Sequence, residues 1–276
     1  MNLALKIFRT KNRVMGLIRP KSTINQAKEL FLTPRKFPIK DWEQEQELKG
    51  TRLKLNNGLS VISWGQSERK VLLVHGWESR ATQMSGFVDH LLSQGFQVYA
   101  LDGPAHGHSE GKQANPYVFA QAVSYAYESL GPFEAMIAHS MGGSAVSAAL
   151  SKMDSSLVSG LNKLVLISSP SSIQNVLERF SGFIGLSASN TTNFVRLIEE
   201  VVGQPTEALD TASNVSKLLC EGLVIHDKSD LEVPYEDALA IVDSWKLTRL
   251  VSTEGFGHRA IIRQPSVWKE VADFLV

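Results

Sequence analysis

The sequence predicts an α/β fold, a mostly parallel eight-stranded sheet with helices on both faces. Three observations carry that expectation. From about residue 50 onward, strand-like runs alternate with stretches of helical periodicity, the order that builds parallel β-α-β units. Runs such as "KVLLVHG" and "KLVLISS" are apolar almost without interruption, as strands covered on both faces are. A length of 276 residues, 43% of them hydrophobic, is enough for one large core.

In order, residues 1–47 read as a basic N-terminal helical segment. In "MNLALKIFRTKNRVMGLI", Leu3, Ile7, Phe8, Val14, Met15 and Ile18 fall near one helical face, with Lys11 interrupting the stripe. Such a helix either packs on the body through its apolar face or makes peripheral contact with anionic lipid through residues 1–40. The core is expected over 48–169 and 222–276. "TRLKL" and "LSVISW" flank "NNG", a hairpin signal. "KVLLVHG" is the third strand. "ATQMSGFVDHLLSQG" is helical and closes on Gly95, a C-cap residue. Strand "FQVYALD", helix "YVFAQAVSYAYESLG", strand "FEAMIAH", helix "MGGSAVSAALSKM" and strand "KLVLISS" follow. Residues 170–221 break the alternation. "SIQNVLERFSGFIGL", "TNFVRLIEEVVG" and "ALDTASNVSKLL" all read helical, so this segment is expected to be a small helical cap inserted after the sixth strand. The chain then ends with strand "GLVIHD", helix "YEDALAIVDSW", strand "TRLVST" and helix "SVWKEVADFLV".

Lys plus Arg and Asp plus Glu both number 28, which argues against a globally basic nucleic-acid binder. The charge is unevenly spread. Residues 1–40 hold ten Lys/Arg against the single acid Glu29, so the segment is +9 and the remainder −9. The one cysteine, Cys220, forms no internal disulfide, which points to a reducing, cytoplasmic setting. Neither a signal peptide nor a transmembrane span is expected.

Chemistry is signalled where "FEAMIAH" turns abruptly into a helix at Ser140. Ligands of doubly wound sheets bind outside the carboxyl ends of the strands, and a side chain on such a turn is presented there. Ala138 and Gly142 flank Ser140 in the small-x-Ser-x-small pattern of a nucleophile elbow, with Ala138 in place of the usual first glycine. The bland reading is a serine that only caps the helix. A serine nucleophile needs a base, and the base needs a carboxylate. His258 lies in a glycine-containing loop after the last strand, and no other histidine follows Asp230. Asp227, Asp230 and Glu232 follow the seventh strand. Asp230 is preferred because Asp227, directly after the strand, is better placed to shape the turn. Backbone N–H groups of Trp77 and Met141 are the candidate oxyanion donors. Candidate substrate contacts are Trp77, His139, Phe180 and Phe183, although Phe180, Phe183, Ile184 and Phe194 would equally form the insertion's own core. His75 reads as structural. No cofactor or metal is expected. His106 and His108 make two ligands without a third, "GPAHGHSEG" lacks the Lys-Ser/Thr of a phosphate loop, and no dinucleotide fingerprint follows the first strand.

Taken in order, "HGWESR", "LDGPAHGHSEG", "AHSMGG", "HDKSDLEVP" and "GFGH" resemble the α/β-hydrolase superfamily, in its esterase- and lipase-like bacterial serine hydrolase branch, from about Leu48 to the C-terminus. The resemblance implies the α/β-hydrolase fold, a Ser140, Asp230, His258 triad and a helical lid between the sixth and seventh strands. The expected activity is cleavage of a small-molecule ester or thioester through an acyl-enzyme. An acyltransferase or thioesterase with the same triad and a non-catalytic binder of an apolar ligand are the alternatives.

Overall fold

The structure, a computed structural model, describes residues 3–276. Met1 and Asn2, at the start of the leader 1–47, lie outside them. Three helices come first: α1 (Leu3–Ile18), α2 (Pro20–Leu32) and α3 (Asp41–Lys49). The hairpin β1 (Thr51–Lys54) and β2 (Ser60–Trp64) turns at Asn57-Gly58, where Gly58 sits at φ 82°, a conformation an L side chain resists. Next are β3 (Lys70–Val74), a 3-10 turn at Ala81–Phe87 running into α4 (Val88–Ser93), and β4 (Gln97–Asp102). Helix α5 (Pro116–Leu130) is capped by the Asn115 side chain, which accepts from the Val118 N–H at 2.9 Å. Then follow β5 (Ala135–His139), α6 (Met141–Leu150) and β6 (Lys163–Ile167). Helices α7 (Ile173–Ile184), α8 (Ala188–Val202) and the five-residue α9 (Thr211–Val215) precede β7 (Glu221–Asp227). The chain closes with α10 (Tyr235–Ser244), β8 (Thr248–Thr253), α11 (Gly257–Ala260) and α12 (Pro265–Leu275).

All eight strands join one sheet in the order β1-β2-β4-β3-β5-β6-β7-β8. The β1/β2 and β2/β4 pairs are antiparallel and the remaining five pairs are parallel. Strand periodicity divides the core. Leu72, Val74, Met136, Leu164 and Leu166 face one layer, with side chains of α5 and α6. Their neighbours Val71, Leu73, Ile137 and Val165 face the other, with side chains of α4 and α12. Each such burial is worth about 1.5–3 kcal/mol, which is why the central strands read as unbroken apolar runs. At the edge, β8 keeps only partial burial.

Between β6 and β7 the third expected helix is shorter than its pattern suggested. "ALDTASNVSKLL" becomes a 3-10 turn at Thr206–Leu209 and α9. Asp210 separates the two and accepts from the Ile173 N–H at 2.9 Å, tying this stretch to the start of α7. The leader lies against the same helices. Phe31 of α2 is buried, stacked on Trp77 at 6.2 Å and edge-on to Phe180 at 5.2 Å and Phe194 at 5.9 Å. Helix α1 also packs on α7, but its expected apolar stripe is split. Phe8 and Met15 are half-buried, whereas Leu3, Ile7, Val14 and Ile18 are exposed. Among the described residues, no helix is long and apolar enough to cross a membrane.

Candidate active site

Strands β3, β5, β7 and β8 run parallel within one sheet, so their carboxyl ends open onto the same edge. Ser140 stands between β5 and α6 at φ 53°, ψ −126°, a strained conformation for a residue with a β-carbon. The small neighbours that mark it in the sequence have a steric cause. A β-carbon on Gly142 would lie 2.5 Å from the His75 carbonyl oxygen and 2.7 Å from that of Val74. One on Gly76 would lie 2.8 Å from the Ser140 Cβ. The serine does not cap α6 with its side chain; its N–H donates to the Ile167 carbonyl at 2.9 Å.

Across the cleft, the Ser140 hydroxyl lies 2.9 Å from His258 Nε2, and His258 Nδ1 lies 2.8 Å from Asp230 Oδ2. The carboxylate can only accept, so Nδ1–H donates to Asp230 and Nε2 is left to accept from the serine. The other Asp230 oxygen accepts from the Glu232 and Val233 N–H groups at 2.8 and 2.9 Å. Burial pushes the Asp230 carboxyl up. The bond to His258 and the two amides outweigh it and hold the group below the usual carboxylate value, so it is an anion at neutral pH.

The neighbouring acids serve other ends. Asp227 accepts from the Ser229 N–H at 2.9 Å, the Thr253 hydroxyl at 2.7 Å and the Phe256 N–H at 3.0 Å, so it staples the acid loop to the histidine loop. Glu232 pairs with Arg259 at the surface.

Two histidines support the triad loops in ways the sequence did not signal: His139, expected as a substrate contact, and His226, which left no mark beyond its presence. His139 donates from Nε2 to the His258 carbonyl at 2.9 Å. His226 donates from Nε2 to the Val233 carbonyl at 2.9 Å and lies 3.5 Å from Asp230. His75 donates from Nδ1 to the Gly76 carbonyl at 2.6 Å and accepts the Gly103 N–H on Nε2 at 3.0 Å, ordering the loop after β3. His106 accepts the Glu78 N–H at 3.1 Å, bracing the same turn. The Trp77 N–H has no acceptor among the described residues. That of Met141, at the first position of a helix, has no carbonyl one turn back.

These histidines give the protein a pH signature. Burial lowers the pKa of His75, His106, His139 and His226, with repulsion from His258 adding to the effect on His139, which falls to about 3. Each stays neutral in the folded chain where its unfolded counterpart takes up a proton. Stability is therefore whole above the ordinary histidine value and declines as pH falls below it, by up to about 1.4 kcal/mol per pH unit for each histidine. The midpoint of thermal unfolding is expected to drop steeply between about pH 6.5 and pH 5, well above the carboxylate range. A midpoint that stays level over that interval would contradict the burial of these rings.

A cleft of about 300 Å³ opens at the serine, with Phe37, Trp42, Trp77, His139, Ile262 and Arg263 in its wall. Trp77 and His139 thus stand where substrate contacts are expected. Phe180 and Phe183 are not among the residues that line it. The apolar side of α7 is covered by the leader: Phe180 packs on Phe31 and Phe194, and Phe183 points to solvent, 59% exposed. The stretch from Phe37 to Trp42 takes the place assigned to the insertion. A separate depression of about 190 Å³ beyond Glu78 does not reach Ser140.

Comparison with curated protein sequences gives no match. Among solved structures, the chain is similar to the esterase Pf2001 from Pyrococcus furiosus at 20% identity, covering 88% of this chain and 98% of that one, with a TM-score of 0.62. It is similar to Est1E from Butyrivibrio proteoclasticus, solved with ferulic acid bound, at 18% identity over 82% and 96% of the two chains, TM-score 0.61. The thioesterase domain from the curacin biosynthetic pathway gives 16% identity over 82% and 98%, TM-score 0.58. At these identities the likeness is one of fold. The family is settled separately, by a sequence model matching residues 71–271: the chain belongs to the alpha/beta hydrolase family.

Proposed function

We propose that the protein is a serine hydrolase that cleaves a carboxylic ester or thioester of a small apolar substrate through an acyl-enzyme on Ser140. The observation that carries this reading is the continuous hydrogen-bonded chain from Ser140 through His258 to Asp230. In the first half-reaction Ser140 Oγ attacks the substrate carbonyl while His258 Nε2 takes the hydroxyl proton. Asp230 holds the ring in the required tautomer and offsets the charge it acquires. The oxyanion is held by the Trp77 and Met141 amides, the latter at a helix N-terminus where the backbone dipole favours negative charge. His258 then returns its proton to the departing alcohol or thiol. In the second half-reaction His258 takes a proton from water, the resulting hydroxide attacks the acyl carbon, and the acid leaves as Ser140 is reprotonated.

A cleft of about 300 Å³ lies at the small end of ligand sites, which favours short acyl groups. Trp77, Trp42, Phe37 and Ile262 make one part of its wall apolar, beside a rim that carries Lys40, Glu78, Glu232, Arg259 and Arg263. A fluorophosphonate reagent followed by peptide mapping is expected to label Ser140. Hydrolysis across esters and thioesters of graded chain length is then expected to be fastest for short acyl groups, and assays with competing alcohols separate hydrolysis from acyl transfer. An unmodified Ser140 in folded protein would remove the catalytic reading and leave a binding protein.

A further inference from the structure

Helix α1 has two distinct faces, and only one of them is covered. The inner face is fixed by specific contacts. Asn12 Nδ2 donates to the Ile184 carbonyl at the end of α7, at 2.8 Å. Asn190 Nδ2 of α8 donates to the Gly16 carbonyl at 3.2 Å. A β-carbon on Gly16 would lie 2.5 Å from that same nitrogen, so a larger residue there would displace the Asn190 amide from this contact. Asn12 and Gly16 are buried, and Leu5, Phe8 and Met15 beside them are half-buried. These contacts set the rotation of the helix about its axis.

That rotation turns Leu3, Ile7, Val14, Leu17 and Ile18 outward. They are between 49% and 82% exposed and fall within roughly 100° of arc at 3.6 residues per turn. Lys6 and Arg13 flank the stripe on one side and Lys11 on the other, all three exposed. No acid occurs in the helix. An apolar stripe edged by cations on a helix too short and too charged to span a bilayer has the form of a segment that lies in the headgroup region of a membrane.

We infer that α1 docks the protein on an anionic lipid bilayer, with the outward stripe entering the acyl boundary and the flanking cations contacting headgroup phosphates. A second copy of this chain fits the same face less well. Twofold pairing of the stripe would place Lys6, Lys11 and Arg13 beside their own counterparts, with no acid on the helix to offset them. The inference stands independently of the reaction proposed for Ser140.

The full chain, sedimented with vesicles of mixed phosphatidylglycerol and phosphatidylcholine, tests it. Partitioning is expected to fall about tenfold or more on pure phosphatidylcholine vesicles and in the double variant Ile7→Glu/Ile18→Glu. Both positions are exposed, so the variant should keep the parent's circular dichroism and unfolding midpoint. Its partition coefficient then reports on the stripe alone. Failure of the parent chain to sediment with the anionic vesicles, equal partitioning on both lipids, or undiminished partitioning of the folded variant would each overturn the inference. So would sedimentation-equilibrium data showing a dimer that the double variant breaks while neither form takes up vesicles.

Discussion

Replacing Ser140 with alanine is expected to lower kcat toward a short p-nitrophenyl ester by about ten-thousand-fold or more while the fold persists. Both halves of the expectation come from local geometry. The hydroxyl's hydrogen bond is to His258 Nε2, and the side chain does not cap α6. Alanine therefore removes the nucleophile without removing a structural contact. The backbone at φ 53° carries a β-carbon in either case, so its strain, on the order of 1–3 kcal/mol, is unchanged. Ser140→Gly separates the two effects, since it should be as inactive as the alanine variant yet more stable, because glycine accepts that conformation without strain. Kinetics and chemical denaturation of the three forms decide the matter. An alanine variant within tenfold of the parent would sink the assignment of Ser140. A glycine variant no more stable than the alanine one would argue against a strained elbow.

The architecture was legible because its signals are short-range and redundant. Continuous apolar runs mark central strands wherever helices cover both faces, and Asn57-Gly58 meets the demands of its turn with local chemistry. The serine was legible for a related reason: Gly142 must be small because the carbonyls of Val74 and His75 pass so close, and that requirement is written into neighbouring positions. What escaped is which element covers which. The apolar side of α7 says that something packs there, but its periodicity is the same whether the cover is substrate or protein. The cover is Phe31 of the leader, about 150 residues earlier in the chain. Helix α1 fails in the opposite sense. An apolar stripe suggested the packed face, yet docking uses Asn12 and Gly16, residues chosen for fit and hydrogen bonding, which hydrophobic periodicity does not register. The Phe37–Trp42 wall of the cleft lies in a loop and the start of a short helix, where no period exists to read.

Three acids close together in the chain give the second large effect. Asp230→Asn is expected to lower kcat by about a thousand- to ten-thousand-fold with little loss of stability. An amide at this position can keep its oxygen on the Glu232 and Val233 N–H groups, preserving the loop, while its NH2 faces His258 Nδ1. The imidazole then carries its proton on Nε2, points a donor at the serine and no longer serves as a base. Asp227→Asn should behave in the reverse way. Its carboxylate accepts from Ser229 on one oxygen and from Thr253 and Phe256 on the other; an amide keeps the second pair on its oxygen and turns an NH2, which cannot accept, toward the Ser229 N–H. The donor that loses its acceptor is the N–H of Ser229, an exposed residue that water reaches, so the loss is about 1 kcal/mol and activity falls only as far as the histidine loop shifts. Glu232→Gln, at an exposed ion pair with Arg259, should change stability by less than about 1 kcal/mol. Measuring kcat beside the denaturation midpoint for all three variants places each acid by the pair of numbers rather than by either one. If Asp230→Asn retains kcat within tenfold while one of its neighbours does not, the carboxylate behind His258 has been misassigned, however good its 2.8 Å contact.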